Sequence, residues 1–213
     1  MKKTSIASFA CMLIYLPLLL ISCTNDAPVQ QVKESPATEL SQAELITRGK
    51  YLVTVIGCNH CHTPKKMGPQ GPVFDSSLLL SGHHGNSPLP AIDTKALTPG
   101  YWVLFAGDLT ATVGPWGISY AANLTPDSLT GIGLWSEETF VKTLRSGKHL
   151  GQEGGRPIMP PMPWDNFNHL PDEDIKSIFA YLKTIPPVSN RVHQPYSPVE
   201  VRQMATANKT AMK

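Results

Sequence analysis

The sequence predicts an all-α fold in which three main helices are joined by long, loop-rich segments. Apolar residues recur at helical spacing in three stretches, 41–57, 136–146 and 172–185. The chain of 213 residues contains 20 prolines, about 9% against a usual ~5%, so much of the remainder cannot be helical. The hydrophobic fraction is 41% and the net charge is only +2, which is typical of a folded chain.

Residues 1–22 are predicted to form the signal peptide of a lipoprotein. Lys2 and Lys3 precede an apolar run of about 16 residues, which is shorter than the ~20 residues of a membrane-spanning helix. The run ends in Leu-Ile-Ser-Cys, which resembles the lipobox of bacterial lipoproteins, whose cysteine is acylated and becomes the first residue. We therefore expect a lipid on Cys23 that holds the protein at the periplasmic face of a bacterial membrane. An uncleaved anchor or an ordinary signal peptide is the alternative, and either would also direct export.

The rest of the chain is predicted to comprise a tether, one domain and a tail. Residues 23–40 are polar and lack aromatic residues, so we expect a flexible tether. Residues 41–187 form the domain, and residues 188–213 are predicted to be a polar, aperiodic tail. Loss of Lys2 and Lys3 would leave 16 basic residues against 16 acidic ones. A neutral chain without a basic run excludes nucleic acid as a partner.

The first two helices have clear start and stop signals. Ser41 is a candidate N-cap, and Gly57 follows the first helix directly before Cys58. The second helix begins after Ser136, carries two glutamates in its first turn and ends at Gly147. These signals predict helices that end where the chain must turn.

The third helix and the long connection before the second complete the prediction. Three acidic residues at 172–174 complement the helix dipole, and the Pro-Pro pair at 186–187 stops the helix. Residues 63–122 are rich in proline and glycine and show no helical period. We expect a loop-rich insertion there, with a possible small β-hairpin near residues 101–109 and 118–123.

Cys58, Cys61 and His62 form a C-x-x-C-H motif, which is the attachment sequence of c-type haem. Two thiols at this spacing can each form a thioether with a haem vinyl group, and the following histidine can ligate the iron. Because the motif occurs once, the sequence predicts one haem c, bound covalently through Cys58 and Cys61. We expect the other ring nitrogen of His62 to donate to a backbone carbonyl, for which Pro72 is a candidate.

Other interpretations of the cysteine pair are weaker. A disulfide would close too small a loop to stabilise much, a thioredoxin-like pair would need a βαβ context, and structural zinc would need four ligands. Among the remaining histidines, His60 is expected to face solvent, whereas His83 and His84 lie in a loop and could ligate iron or another metal.

A proline-rich strap at residues 156–164 offers two candidates for the second iron ligand, Met159 and Met162. Its four prolines exclude a helix and favour an extended, polyproline-like conformation. In that conformation the two methionines would point the same way, about 9 Å apart. A methionine ligand suits an electron carrier, whereas an open iron position suits an enzyme or a sensor. Alternatively, both methionines fill the core.

The domain resembles class I cytochromes c, of the type found as single-haem lipoproteins and as cytochrome subunits of membrane-bound dehydrogenases. The resemblance runs from about Arg48 to Pro187. Six stretches beyond the C-x-x-C-H motif carry it: Asn-Leu-Thr-Pro-Asp at 123–127, Thr-Gly-Ile-Gly-Leu-Trp at 130–135, residues 140–147, Pro-Met-Pro-Trp at 161–164, Pro-Asp-Glu-Asp-Ile at 171–175 and Ala-Tyr-Leu at 180–182.

The resemblance implies a class I cytochrome c fold, with three main helices around one haem. The methionine of the Met-Pro-aromatic step is the axial ligand in that family, which selects Met162 and keeps Met159 in reserve. The tryptophan of the Gly-x-Gly-x-Trp motif, here Trp135, lies beside the haem propionates. The first and last helices cross, and Gly49 near Tyr181 is a candidate for the close approach. The dehydrogenase subunits often carry three haems, whereas this chain has one attachment motif.

These features predict an electron-transfer protein rather than an enzyme. We expect a membrane-anchored, monohaem c-type cytochrome with His62 and Met162 as iron ligands, which exchanges single electrons with redox partner proteins outside the cytoplasm through small, transient contacts. Two alternatives are an enzyme or sensor with an open haem site, and a fixed haem subunit of a dehydrogenase or respiratory complex.

Overall fold

Six α-helices and two small antiparallel sheets make up residues 39–211, the part of the chain that the computed structural model describes. The helices are α1 (Gln42–Val55), α2 (Cys58–His62), α3 (Glu137–Ser146), α4 (Trp164–Phe167), α5 (Asp172–Leu182) and α6 (Pro198–Ala211). The predicted signal peptide, the lipidation site Cys23 and nearly all of the tether lie outside the described residues. Within the described range, no helix has the length and apolar character needed to cross a membrane.

Helices α1, α3 and α5 are the three that the sequence predicts, and local capping defines their ends. The hydroxyl of Ser41 accepts from the backbone N–H of Glu44, whose carboxylate accepts from the backbone N–H of Ser41 at 2.8 Å. At α3, Ser136 accepts from the N–H of Thr139 at 3.1 Å, and Gly147 ends the helix with a positive φ of 64°. These caps satisfy backbone groups that the helices leave unpaired.

Helices α1 and α5 cross at Gly49, in agreement with the sequence prediction. A Cβ atom built on Gly49 would lie 1.8 Å from the carbonyl oxygen of Ser177 and 2.8 Å from the Cβ atom of Tyr181, so only glycine permits this approach. Beside the crossing, the Arg48 guanidinium pairs with the buried carboxylate of Asp174. The main core lies around this crossing and consists of Leu52, Val53, Leu80, Ile132, Phe140, Leu144, Ile175, Ile178, Phe179, Leu182 and Ile185.

The described part of the insertion at residues 63–122 contains no α-helix but does contain both sheets, so the all-α prediction holds only in part. Strands β1 (Lys65–Gly68) and β2 (Gly71–Phe74) form a hairpin directly after α2. The second sheet has the order β3 (Leu104–Phe105), β4 (Ala111–Gly114) and β5 (Gly117–Tyr120), with Ala111 opposite Tyr120. A hairpin is present in this region, but the predicted pairing is wrong: β5 pairs with β4, which lies between β5 and β3. The β-branched residues of β4 and β5 favour strands.

The segment after Pro187 is part of the fold, and its prediction as an aperiodic tail is wrong. Tyr196 forms an antiparallel bridge with Ile118 of β5. Helix α6 then places Val201, which is fully buried, in a second core together with Ala96, Leu97, Val113 and Ile118. The segment contributes too few buried apolar side chains to produce a hydrophobic period, so the pattern in the sequence does not reveal it.

Candidate haem-binding site

Helix α1 delivers the C-x-x-C-H motif to the edge of the main core. The helix ends at Val55, and Gly57 adopts a left-handed conformation with φ 83° that turns the chain into α2. Helix α2 consists of the motif alone, Cys58 to His62. Cys58 packs against the main core, so the motif is held at the boundary between the core and the insertion.

Cys58 and Cys61 are free thiols, both partly buried. Their spacing of three residues on a helix places them as neighbours on one face. Burial raises the pKa of Cys58 to about 11, and burial also raises the pKa of Cys61. In redox-active cysteine pairs the pKa of the attacking thiol is lowered, which is the opposite direction. In residues 39–211, no group of three or more His, Cys, Asp or Glu side chains is arranged to hold a metal ion.

His62 is buried, and its orientation is defined by one hydrogen bond. Its Nδ1 atom lies 2.8 Å from the backbone carbonyl oxygen of Ala122. A carbonyl oxygen can only accept, so Nδ1 carries the proton and Nε2 keeps a lone pair that can ligate iron. Burial lowers the pKa of His62, although the bond to Ala122 opposes that shift, and the neutral ring is the form that binds metal.

The acceptor for His62 is not the one suggested by the sequence. Pro72 lies in β2 of the exposed hairpin, whereas the carbonyl that accepts from His62 belongs to Ala122, directly after the second sheet. The two bonded residues are 60 positions apart in the chain. Such a partner depends on how the insertion folds back, which no local pattern encodes.

The proline-rich strap contains a tight turn where the sequence predicts an extended conformation. The backbone N–H of Met162 donates to the carbonyl of Met159 at 3.3 Å, with Pro160 and Pro161 at the corners of the turn. Proline favours turns as well as extended chain, and here the turn replaces the predicted parallel arrangement of the two methionines. Both methionines lie in the described part of the chain, and Met162 is the one that packs against the main core.

Contacts on both sides of the turn position the strap. On one side, the hydroxyl of Ser119 in β5 donates to the carbonyl of Pro160 at 2.5 Å. On the other side, a Cβ atom on Gly147 would lie 2.4 Å from the ring of Trp164, so the glycine that ends α3 lets this ring pack closely. Met162 is therefore held between the second sheet and the end of α3.

Trp135 and His149 form a pair beside the main core. Trp135 packs against that core, as Cys58 and Met162 do, and its ring lies 5.8 Å from the ring of His149. The Nδ1 atom of His149 is buried and has no hydrogen-bond partner among the described residues. Burial lowers the pKa of His149, and the nearby cation of Arg156 lowers it further.

The remaining histidines of the sequence analysis have other contacts. His60 is exposed, as predicted, and its ring packs edge-on against Phe74. His83 is buried, with Nδ1 2.7 Å from the hydroxyl of Thr110, and its ring contacts that of Tyr120. His84 is partly buried. The ring of His83 is thus used in packing and hydrogen bonding within the insertion.

Ala122, His149 and Gly82 are site residues that the sequence analysis did not identify. Ala122 contributes only its backbone, and His149 lies in a glycine-rich stretch without a motif. Gly82 donates its backbone N–H to the carbonyl oxygen of His62 at 2.8 Å. It lies in a Ser-Gly-His-His-Gly stretch, and the glycine itself is the local signal that another backbone segment comes close.

Comparisons with known proteins identify relatives among cytochromes, although no family model matches the chain. The chain is 30% identical over 167 residues to the fructose dehydrogenase cytochrome subunit of Gluconobacter japonicus, which is 78% of this chain and 26% of the relative. It is 29% identical over 145 residues to the gluconate 2-dehydrogenase cytochrome c subunit of Pantoea cypripedii, covering 68% and 24%. It is 29% identical over 167 residues to the cytochrome c subunit of a quinone alcohol dehydrogenase of Gluconacetobacter polyoxogenes, covering 76% and 29%.

The chain spans about a quarter of the length of these curated relatives. Their names describe cytochrome subunits of dehydrogenases, in agreement with the prediction of an electron-transfer protein rather than an enzyme. Over most of its own length, this chain is homologous to the cytochrome subunits of fructose, gluconate and alcohol dehydrogenases, and the resemblance to c-type cytochromes predicted from its motifs is confirmed.

Proposed function

We propose that this protein is a monohaem c-type cytochrome, tethered to a membrane by a lipid on Cys23, that carries single electrons between redox proteins outside the cytoplasm. The observation that carries the proposal is the state of His62. The ring is buried, its Nδ1 proton is bound by the Ala122 carbonyl, and its Nε2 lone pair remains for a metal. This ligand follows directly after two free thiols on the same short helix.

The chain would hold the haem with four side chains. Cys58 and Cys61 would form the two thioether bonds, and His62 and Met162 would ligate the iron. Bound haem would supply the reversible one-electron couple of its iron, while the protein sets its potential and its access to solvent. Met162 belongs to a strap held by Ser119 and Trp164, so little conformational entropy is lost when its sulfur binds.

The surroundings of Trp135 fit the carboxylates of a haem. His149 has a buried nitrogen without a partner in the described part of the chain, next to the indole of Trp135. The backbone N–H of His149 donates to the carbonyl of Arg156 at 2.8 Å, which keeps that arginine nearby. Burial lowers the pKa of Arg156, and its guanidinium forms no ion pair within residues 39–211. A haem propionate is stabilised by N–H donors and by a nearby cation that is not already paired with a carboxylate.

Methionine ligation can be tested by absorption spectroscopy of the purified, haem-loaded protein. Oxidised wild-type protein should show the band from methionine sulfur to ferric iron. Met162→Ala should lose this band, bind CO and cyanide faster and have a lower reduction potential, because methionine ligation raises the potential. The matched control is Met159→Ala in the same strap, which should keep the band. Loss of the band in the control alone would transfer the ligand role to Met159.

A wild-type spectrum without the sulfur band, together with rapid CO binding, would favour the alternative of an open-site enzyme or sensor. The second alternative is a fixed subunit of a dehydrogenase complex, which the names of the relatives favour. Co-purification of a flavin- or quinone-containing partner from detergent-solubilised membranes would distinguish that subunit from a free carrier.

Lipid attachment can be tested by mass spectrometry of the mature protein. We expect the N-terminal peptide to begin at Cys23 and to carry acyl chains, which contribute about 0.8 kcal/mol per buried CH₂ to membrane binding. Cys23→Ser should release the cytochrome into the soluble periplasmic fraction with an unchanged spectrum. An unmodified Cys23 in a membrane-bound protein would show that something other than a lipid anchors the chain.

A further inference from the structure

The carbonyl that accepts from His62 belongs to a segment that runs beside residues 80–83. The backbone N–H of His83 donates to the carbonyl of Ala121 at 2.9 Å, and the N–H of Leu124 donates to the carbonyl of Leu80 at 2.9 Å. Ala121 also donates its N–H to the carbonyl of Thr110 at 2.8 Å. Ala121 is therefore held through both its N–H and its carbonyl, whereas the carbonyl that accepts from His62 belongs to the next peptide, after Ala122.

Gly82 lies between this peptide and His62. Its backbone N–H donates to the carbonyl oxygen of His62 at 2.8 Å. Its φ is +77°, and a Cβ atom at this position would lie 2.5 Å from the Ala121 oxygen and 2.7 Å from the Ala122 oxygen. Carbon and oxygen atoms do not approach so closely without a bond, so any side chain at position 82 would displace one of the two segments.

Burial and hydrogen bonding determine which segment gives way. Leu80 and Ser81 are fully buried. The side-chain amide of Asn190 donates to the carbonyl of Ser81 at 2.8 Å and to that of His83 at 2.9 Å, so it holds the two residues that flank Gly82. Ala122, by contrast, is exposed. A side chain at position 82 would therefore push the Ala122 carbonyl away from His62.

We propose that Gly82 is a positioning residue for the axial histidine: by leaving room for the Ala122 carbonyl, it maintains the hydrogen bond to His62 Nδ1 and thereby keeps the reduction potential of the haem low. The inference rests on the proposed ligation of iron by His62. Under this proposal, Asn190 from the C-terminal segment helps to hold Gly82 in place, because its side chain bonds the carbonyls of Ser81 and His83.

The direction of the effect follows from ligand basicity. A hydrogen bond that draws the Nδ1 proton toward oxygen raises electron donation by Nε2. Stronger donation favours ferric over ferrous iron, so the intact bond lowers the potential and a weakened bond raises it. The methionine side of the iron is not involved, so its spectral band should not change.

Gly82→Ala and Gly100→Ala form a matched pair for the test, in the full-length, haem-loaded protein. Both glycines have positive φ, +77° and +83°, so alanine introduces similar backbone strain at each. A Cβ atom on Gly100 has no heavy atom within 4 Å, whereas one on Gly82 meets the Ala122 peptide. The two measurements are the midpoint potential, by spectroelectrochemistry, and the proton resonance of His62 Nδ1–H, by NMR of the ferrous protein.

We expect Gly82→Ala to shift the midpoint potential to more positive values and to move the Nδ1–H resonance upfield, while the methionine band remains. Gly100→Ala should match wild type in both measurements. Asn190→Ala provides a second variant, because it loosens residues 81–83 without adding bulk, and its potential should shift in the same direction by a smaller amount. Hydrogen exchange of the Nδ1–H group in wild-type protein should be slow, because the His62 ring is buried and its Nδ1–H is hydrogen-bonded.

An unchanged potential and an unchanged Nδ1–H resonance in a folded Gly82→Ala or Asn190→Ala variant would overturn the proposal. Fast exchange of the Nδ1–H group in wild-type protein would do the same. Failure of the proposed function looks different: the wild-type protein would lack haem, or a His62→Ala variant would retain the wild-type spectrum.

Discussion

Gly49 and Gly82 are among the glycines for which a neighbouring backbone occupies the space that a side chain would need. At Gly49 the neighbour is the Ser177 carbonyl of α5, and at Gly82 it is the Ala122 carbonyl next to His62. The first contact sets how closely two helices pack, and the second sets the environment of one ligand. Glycines with open space around them, such as Gly154 and Gly107, have no such role.

Gly49→Ala should strongly destabilise the protein. The added methyl group would meet the Ser177 carbonyl oxygen at 1.8 Å, and both atoms belong to a helix packed in the core. Overpacking of this kind costs about 3 kcal/mol or more, and chemical denaturation would measure it. Gly154→Ala is the control, because nothing lies within 4 Å of its Cβ position, and it should change stability by less than about 0.5 kcal/mol. Equal stability of the two variants would mean that the helices can separate at little cost.

Ser41 and Glu44 provide a test with a defined pH dependence. The pKa of Glu44 is lowered mainly by the hydrogen bond from the Ser41 hydroxyl and to a smaller extent by the bond from the Ser41 backbone N–H. A carboxyl group whose pKa is lower in the folded state contributes stability above its unfolded pKa, and that contribution is lost as the pH falls through the folded value. Ser41→Ala should therefore lower the midpoint of thermal unfolding by about 2–4 °C at pH 7.

The difference between wild type and Ser41→Ala should become smaller as the pH falls through the lowered pKa of Glu44, because its carboxylate then becomes protonated. Differential scanning calorimetry across this range would measure it. A difference that stays constant with pH would show that the serine acts without its carboxylate partner.

Among the elements, the helices with local signals were predicted well, and the contacts between distant segments were not. Helix α3 lies within one residue of its prediction, because Ser136 and Gly147 carry the information about its ends. The Ala122 carbonyl could not be predicted, because its role depends on a backbone contact across 60 residues. Likewise, the turn between Met159 and Met162 could not be predicted, because a proline-rich stretch can form either a turn or an extended chain.

Helix α6 shows how little sequence is needed to attach a terminal segment. Among residues 198–207, whose side chains the structure describes, Val201 is fully buried in the second core, while Val199 is 64% exposed. Asn190 adds hydrogen bonds to the segment that contains Gly82. The element is thus held by a few specific contacts rather than by a continuous apolar face.

Val201→Ala and Val199→Ala compare the same substitution inside and outside the second core. Truncation of a fully buried valine should cost about 2 kcal/mol, and truncation of the exposed one less than about 0.5 kcal/mol. Urea unfolding followed by circular dichroism would measure both. A negligible effect of Val201→Ala would show that α6 does not contribute to the stability of the fold.

The chain carries a net charge of only +2, and several of its basic residues have acidic or carbonyl partners. Arg145 pairs with Asp172 at 2.5 Å, and Lys66 lies 3.5 Å from Asp75. Lys65 directs its ammonium group to the carbonyl oxygens of His60 and Asp108. With so small a net charge, and with Arg145 and Lys66 paired with carboxylates, long-range electrostatic steering of partners should be weak.

Weak steering predicts that electron-transfer rates depend little on salt. Oxidation of the reduced protein by ferricyanide and by a cationic cobalt complex, followed by stopped flow, should change less than about threefold between about 0.02 and 0.2 M salt. Because the two oxidants carry opposite charges, comparing the salt dependence of their rates shows the sign of the electrostatic potential near the haem. A rate with ferricyanide that falls tenfold or more would reveal a positive field near the haem.

The crossing of α1 and α5 also has a consequence for biosynthesis. Arg48 and Asp174, which pair beside that crossing, are 126 positions apart. The helix that precedes the two cysteines is therefore translated long before its packing partner emerges, and no native core can close around it in the meantime. Under the proposed function, Cys58 and Cys61 would likewise leave the cytoplasm ahead of residue 174, so haem attachment would precede closure of the core around them.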